Sequence, residues 1–356
     1  MPANDLTASL QQQVQAAYAG KTPLKIVGGN SKAFYGRQTT GAELTVLDVS
    51  GHSGINSYEP TELVLTARAG TPLAEIEAAL AEKGQLLPFE PPHWGPNATL
   101  GGTIACNLSG PRRPYAGSAR DFVLGCHVIN GKGELLHFGG EVMKNVAGYD
   151  AARLMAGALG TLGVLLDVSL KVLPVPQDKL TLVQPATLPA ALEQMNKLAG
   201  QPVPLSASAW VDGYLYLRFA GAKSAVAAVK QRVAGDVLVD AATFWRSLRE
   251  LQLPFFAEAA SLWRIALPQT ADQPKLPGDW LLEWGGAQRW LKTAASIEQV
   301  RAAVAALGGH ATLLHGGSGS DAFQPLPAGL WQAHQRLKQA FDPAGILNPG
   351  RMYEGL

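Results

Sequence analysis

The sequence predicts a two-domain α+β protein, and three observations carry that prediction. Residues 1–175 hold 23 of the 39 glycines but only one of the eight tryptophans, Trp94, whereas the other seven all follow residue 200. In the first part, short apolar runs closed by glycine alternate with a helical pattern, a mixture that suits α+β packing. In the second part an offset repeat recurs after 73 residues: Asp212-Gly213 returns as Gly285-Gly286, and Gly235 returns as Gly308.

Each element has its own justification. Leu24–Val27 reads as a short strand running into Gly28-Gly29, and residues 63–69 as a strand closed by Gly70. A helix follows, with Thr71 as its expected cap, Pro72 at its first position, Leu73, Ile76 and Leu80 on one face, and Gly84 as its stop. Val123–Ile129 and residues 134–138 flank Asn130-Gly131, a hairpin signal. Pro174, Pro176, Pro185 and Pro189 break any continuous helix and predict an extended linker. Beyond them each repeat copy reads hairpin, helix, strand, with Val226, Val229 and Val233 on one helix face and Ile297, Val300 and Val304 on the other. The second helix opens with the capping box Ser296-x-x-Gln299. Such units predict an antiparallel sheet with helices on one side. A last helix, Leu330–Phe341, leads into the tail GILNPGRMY. The expected divisions are residues 1–175, 176–325 and 326–356, the last a helix and tail returning to the first domain.

Composition excludes several classes of function. Charged residues are 16%, against about 25% in ordinary domains, and 29 Lys+Arg oppose 28 Asp+Glu. A nucleic-acid or lipid-headgroup surface needs a basic field that this balance does not supply. The apolar run Leu154–Leu166 is 13 residues, short of the ~20 that span a bilayer. The N-terminus carries no basic, apolar leader pattern, so a cytoplasmic chain is expected. Cys106 and Cys126 form no C-x-x-C pair, and no H-E-x-x-H occurs, so no metal site is expected. Residues 19–22, AGKT, lack the glycine a phosphate-binding loop requires at position 15, which is Gln, and no G-x-G-x-x-G or G-x-S-x-G is present.

The positive signal lies in the glycine loops. In IVGGNSKAFYG, Gly28 and Gly29 follow a strand, Asn30 and Ser31 add short polar groups and Lys32 a cation, a pattern suited to an anion nest. Fourteen glycines fall between Gly95 and Gly163, a density that favours a ligand held by main-chain contacts. The first loop, TLGGTIACN, RDFVLG, GTLGV and DPAGILNPGR together resemble the FAD-linked oxidases of the vanillyl-alcohol oxidase/PCMH type, over residues 20–175 and 340–356. FEPPHWG, GPRRP, FGGEVMKNVAGYD, LWRIALP, EWGGAQRWLK and NPGRMY are similar to a branch that serves as the FAD subunit of glycolate-oxidising complexes.

The resemblance implies a PCMH-type FAD-binding domain of two α/β subdomains and an antiparallel α+β cap domain. It implies noncovalent FAD, with Gly28, Gly29, Asn30, Ser31 and Lys32 on the pyrophosphate; Val27 departs from the arginine that the family often carries. Thr99, Gly101 and Gly102 would follow the pyrophosphate and ribityl chain, with Asn107 and Ser109 just beyond. Gly117, Ser118 and Val164 would line the flavin or adenine, and Asn348 and Arg351 would return to the isoalloxazine. For the oxidation of a small 2-hydroxy acid, glycolate, the expected catalytic residues are His315 in LLHGGSG and Arg264 in LWRIALP; Leu314 stands where relatives commonly carry an acid. The implied partners are a second FAD-linked subunit and an iron–sulfur subunit, with the inner membrane reached only through them. Two other readings stay open: a non-catalytic FAD-bearing relay or scaffold subunit, and a stand-alone FAD-dependent alcohol or 2-hydroxy-acid oxidase.

Overall fold

The computed structural model describes residues 4–38, 44–140, 150–257, 261–316 and 322–356. Residues 141–149 of the FGGEVMKNVAGYD block and 317–319 of LLHGGSG therefore lie outside the described residues. No helix among the described residues is long and apolar enough to cross a membrane.

The first domain opens with helix α1 (Thr7–Gly20), which buries Leu10, Val14 and Ala17. Strands β1 (Leu24–Val27) and β2 (Thr45–Asp48) pair in parallel. Then follow β3 (Ile55–Glu59), β4 (Val64–Arg68), α2 (Leu73–Glu82), β5 (Gln85–Leu86), α3 (Leu100–Cys106), α4 (Arg113–Ala116) and α5 (Ala119–Phe122). Strands β6 (Val123–Ile129) and β7 (Leu135–Gly139), α6 (Ala152–Met155), β8 (Val164–Lys171) and β9 (Leu173–Pro174) complete it. An antiparallel five-stranded sheet runs β3-β4-β8-β6-β7. Buried strand and helix side chains, among them Leu65, Ile76, Val128, Val168 and Leu170, share one core with α1 and the tail residues Ile346 and Leu347.

The expected hairpin forms at Asn130, whose Oδ1 accepts from Lys132 N at 2.9 Å and Glu134 N at 3.0 Å. Thr71 does not cap α2. Pro72 occupies the cap position, and the Thr71 hydroxyl bridges Gly54, accepting from its N–H at 2.9 Å and donating to its carbonyl at 3.1 Å. A hydroxyl buried between two elements gains more from satisfying both backbone groups than from one helix amide.

The second domain is built on an eight-stranded sheet. Its elements are β10 (Asp178–Pro185), α7 (Leu188–Ala199), β11 (Leu205–Val211), β12 (Tyr214–Gly221), α8 (Lys223–Arg232), β13 (Asp236–Val237) and α9 (Ala241–Arg249). After them come β14 (Leu262–Ala266), β15 (Asp279–Glu283), β16 (Gln288–Lys292), α10 (Ile297–Ala305) and β17 (His310–His315). The extended linker expected across the prolines is absent. The chain enters the sheet at Asp178, Pro185 ends β10, and Pro189 falls in the first turn of α7, where its missing N–H costs nothing.

Strand order β13-β10-β12-β11-β15-β16-β14-β17 is a near-palindrome of two four-strand halves meeting at β11 and β15, which is the offset repeat in three dimensions. Gly235 and Gly308 have φ of 136° and 76° ahead of the outer strands. Both helices α8 and α10 cover one face, and α10 carries the expected capping box. Where the first half has α7, the second has an irregular loop. Fully buried Arg289 donates to the carbonyls of Ala271 (2.6 Å), Asp272 (2.9 Å) and Gly286 (2.9 Å), satisfying groups that a helix would satisfy internally. The opposite face packs Leu262, Leu281, Trp290 and Leu314 against Tyr35, Leu108 and Leu159 of the first domain.

The last helix, α11 (Ala328–Phe341), returns to the first domain, where Leu337 and Phe341 meet its core. Lys338 Nζ, buried, donates to Asp342 Oδ2 (2.7 Å), Thr161 O (2.9 Å) and Leu347 O (2.8 Å). Asp342 in turn accepts from Ile346 N and Leu347 N. That buried knot fixes the tail.

Candidate functional site

Two cavities adjoin, and Cys106 and Leu159 line both. The first, of about 200 Å³, lies within the first domain and is lined by Gly28 to Lys32, Thr99, Gly101, Gly102, Asn348 and Arg351. The second, of about 440 Å³, opens toward the cap sheet and is lined by Tyr35, Asn107, Arg113, Arg264, Trp284 and His310 among others.

The two glycine ribbons converge. A Cβ on Gly28 would come 2.7 Å from Thr99 Oγ1, one on Gly29 would overlap the Asn97 carbonyl, and one on Gly101 would come 2.7 Å from Ala69 Cβ. Only glycine allows that approach. The amides of the two ribbons are spent differently. Gly101 N donates to Ala69 O at 2.7 Å and Gly102 N to Thr99 Oγ1 at 3.3 Å. The N–H groups of Gly28, Gly29, Asn30, Ser31 and Lys32 have no hydrogen-bond partner among the described residues, and all five residues line the cavity. Successive unpaired main-chain donors on a cavity wall make an anion nest. Asn30 sits at φ 56°, the left-handed conformation that turns such a run into a concavity. Lys32 Nζ donates to His93 O at 3.2 Å, and burial pushes its ammonium below the usual lysine value. A diphosphate joined to a long apolar body fits these donors and walls.

The tail residues tie the crevice together. Asn348 Oδ1 accepts from Ile26 N (2.8 Å) and its Nδ2 donates to Leu159 O (2.7 Å). The Arg351 guanidinium donates to the carbonyls of Arg37 (2.9 Å), Ala33 (2.7 Å) and Tyr35 (2.7 Å), so its donors hold the first loop in place. Cys106 is half-buried on the wall the two cavities share, and desolvation there pushes its thiol up to about 11.

Four residues expected along the flavin do not line either adjoining cavity. Ser109 Oγ accepts from Ala119 N (3.0 Å), Ser118 forms the α5 capping box with Asp121, and Gly117, at φ 115°, makes the turn before it. They brace α3 against α5, joined by Asn107 Oδ1, which accepts from Arg120 N at 3.0 Å. Val164 points into the core, and its strand neighbours Gly163 and Leu165 line the cavity instead. Strand alternation decides that difference.

Of the two expected catalytic residues, Arg264 lies in the second cavity and His315 does not. Register gives the reason. Arg264 pairs with Thr312 and Ala266 with His310, which brings His310 to the cavity; a bulge then pairs Leu262 with His315 instead of Leu314. His315 ends exposed and stacked on Phe34, ring centroids 5.5 Å apart. His310 is exposed as well, at the start of the edge strand, but it stands on the cavity wall, where partial desolvation and the nearby Arg264 charge hold it below the usual imidazole range.

Arg113, in the GPRRP block, was not singled out in the sequence. Its guanidinium carbon lies 4.5 Å from the Trp284 ring centroid and that of Arg264 lies 5.3 Å from it. Neither arginine has an ion-pair partner among the described residues. Trp284 Nε1 donates to Gly110 O at 3.0 Å, fixing the indole against the first domain. Two cations on one ring without a carboxylate make a cavity that demands an anion.

Comparison with known proteins gives this geometry its family. Residues 5–139 match the FAD binding domain family, and residues 282–352 match the family described as FAD linked oxidases, C-terminal domain. The chain is 51% identical over 352 residues to glycolate oxidase subunit GlcE of Escherichia coli (strain K12), covering 99% of each chain. The chain belongs to the GlcE family of FAD-linked oxidases. It is also 36% identical to glycolate oxidase subunit GlcD of Bacillus subtilis (strain 168), over 36% of this chain and 27% of that one. A solved alkyldihydroxyacetonephosphate synthase superposes with a TM-score of 0.66 at 16% identity, over 96% of this chain and 74% of that one. The family's cofactor is FAD, and the nest and crevice described above have the donors to hold it.

Proposed function

We propose that this chain is the FAD-bearing subunit of a complex that oxidises glycolate to glyoxylate and passes the electrons on through partner subunits, a second FAD-linked chain and an iron–sulfur protein. The observation that carries the reading is the continuity of the crevice: five unpartnered amides at one end, two guanidinium groups with no carboxylate partner among the described residues at the other, and Cys106 and Leu159 shared between. Gly28 to Lys32 would hold the diphosphate, Thr99 and Asn348 the chain beyond it, and the flavin end would extend past Cys106 toward the cap. Bound there, FAD supplies the two-electron acceptor for the hydride of the carbinol carbon.

The chain's own residues would do the rest. Arg264 would take the substrate carboxylate on its terminal nitrogens, since its Nε is engaged by Gln288 Oε1 at 2.6 Å. Arg113 adds a second positive charge across the indole, and Trp284 keeps that wall dry. His310, held neutral near pH 7, would accept the hydroxyl proton. With two cysteines in the chain, a four-thiolate cluster has no ligands here, so onward transfer falls to partners. Attachment to the inner membrane would run through those partners from the cytoplasmic side.

Anaerobic mixing of the purified, FAD-loaded chain with glycolate tests the reading. Bleaching of the flavin absorbance without added subunits supports direct oxidation, and its loss in Arg264→Gln with FAD retained supports the clamp. Yellow protein that stays unbleached refutes direct oxidation and assigns the chain a relay role.

A further inference from the structure

Behind Arg264 lies a buried polar chain that the proposed reaction does not use directly. Arg264 Nε donates to Gln288 Oε1 at 2.6 Å, Gln288 Nε2 donates to Glu283 Oε1, and Trp290 Nε1 donates to the same oxygen at 2.7 Å. Gln288 and Glu283 are 4% and 3% exposed, so these bonds are made out of water, where each is costly to break. Register puts them there: Glu283 pairs with Gln288 across β15 and β16, and Arg264 pairs with Trp290 across β14 and β16. All sit on the sheet face turned toward the first domain.

The order of groups along that chain matters. A carboxylate touching Arg264 would take up its guanidinium as a bidentate ion pair and leave nothing for a ligand. Here an amide stands between the two charges. Gln288 fixes the edge of the guanidinium through Nε, while the rest of the guanidinium meets only the neutral Tyr35 hydroxyl and no carboxylate among the described residues. A guanidinium on a free side chain would surrender rotamer entropy each time it bound an anion; one held at Nε has already lost it. Trp284 completes the restraint, lying 5.3 Å from the guanidinium carbon.

We propose that Gln288 and Glu283 are positioning residues of the carboxylate site: Gln288 is the neutral spacer that orients Arg264 yet keeps it available, and Glu283 is the anchor that orients Gln288. The inference rests on the reading of Arg264 as the carboxylate clamp. It makes a specific demand, that the spacer be uncharged. Gln288→Glu is nearly isosteric; with the buried Glu283 carboxyl, already raised, holding the proton that replaces the lost amide donor, it sets a carboxylate directly against Arg264, so carboxylate ligands should lose affinity while neutral ones do not.

The test is calorimetric titration of the FAD-loaded chain with oxalate, a carboxylate that cannot be oxidised at a carbinol carbon, and with glycolamide, which keeps the hydroxyl but not the charge. In Gln288→Glu, oxalate affinity should fall roughly 10- to 100-fold, the range of a lost charge-assisted hydrogen bond, with glycolamide binding and FAD content unchanged. Gln288→Ala, which removes the orientation without adding charge, should fall by a smaller factor and serves if the first variant does not fold. Glu283→Gln should weaken oxalate while leaving the fold intact. Oxalate affinity unaltered in both Gln288 variants overturns the positioning role while Arg264 stands. Oxalate that fails to bind the parent chain, or binds Arg264→Gln as well as the parent, overturns the clamp itself. Equal weakening of oxalate and glycolamide marks Gln288 as merely structural and also overturns the proposal.

Discussion

Gly29 offers the sharpest perturbation of the cofactor crevice. A Cβ there would overlap the Asn97 carbonyl, a backbone atom that cannot swing aside as a side chain can. Gly29→Ala must therefore push the Gly28–Lys32 ribbon away from the Asn97–Gly102 ribbon, an overpacking strain of about 1–3 kcal/mol. The effect on FAD should be larger than the effect on the fold. Hydrogen bonds to a charged acceptor contribute about 1.5–3 kcal/mol each, so misaiming two of the five free amides removes about 3–6 kcal/mol of binding, a loss of roughly 10²- to 10⁴-fold in affinity. The assay is the FAD-to-protein ratio after gel filtration, followed by fluorescence titration of the stripped protein with FAD. Gly329→Ala is the matched control, because nothing lies within 4 Å of its added Cβ; it should keep its FAD. Full retention of FAD by Gly29→Ala, with the parent's affinity, would refute the nest.

Other perturbations separate structure from chemistry. Lys338→Met leaves Asp342 buried without its cation and should cost about 3–5 kcal/mol, read as a lower midpoint in urea unfolding with FAD content measured alongside. Cys106, pushed up to about 11 by burial, should alkylate at pH 8 at least about 100-fold more slowly than an exposed thiol near 8.5, a rate measured by mass spectrometry. Because its folded value is raised, the stability it lends is complete below about 8.5, the unfolded value, and is lost as pH rises through about 11. His310→Asn should cut glycolate turnover of the assembled enzyme by about 10²-fold or more with FAD retained, whereas His315→Asn should leave it nearly unchanged; the reverse result would return the proton acceptor to His315. Since the His310 imidazole is held down, the acidic limb of kcat/KM should lie below about 6.5, the ordinary imidazole value.

Much of the fold is legible because its signals are local. Leu24–Val27 and Val123–Ile129 are strands in the structure as their apolar runs suggest, and the Ser296 capping box forms from four adjacent residues. The cap repeat is legible because turn glycines mark equivalent corners of both halves. Thr71 and the proline-rich joint were misread for one reason: their outcome depends on partners distant in sequence. Gly54 competes for the Thr71 hydroxyl, and β12 captures residues 178–185 as a strand partner. The same limit governs the site. Glycine loops announce a cradle, but the sequence does not say which amides remain unpaired; that depends on Ala69 engaging Gly101. Arg113 and His310 come from separate segments, and only strand register and the seating of Trp284 bring them to one cavity, while Gln288 reaches Arg264 from the cavity behind it. One signal was available. Arg264, Glu283 and Gln288 are polar residues within otherwise apolar strand segments, positions where a buried charge needs a reason.

That reason is an argument about charge. The cap sheet is covered by helices on one face and by the first domain on the other, so a polar residue on its inner face must be satisfied by the protein or by a ligand. Arg218, on the same side, is satisfied by Glu90 at 2.9 Å, and Arg289, on the opposite face, by backbone carbonyls. Arg264 and Arg113 are the exceptions, flanking Trp284 with neither paired to a carboxylate among the described residues. Burial raises the Glu283 carboxyl above the usual range, so from behind Gln288 it offers at most one negative charge, and about one or more positive charges stay uncompensated at the cavity wall. A neutral alcohol would leave that charge unanswered; a 2-hydroxy acid answers it with the carboxylate next to the carbon to be oxidised. The sign of the cavity thus selects the substrate class before any contact with the hydroxyl is made, and the spacer amide keeps that sign from being cancelled internally.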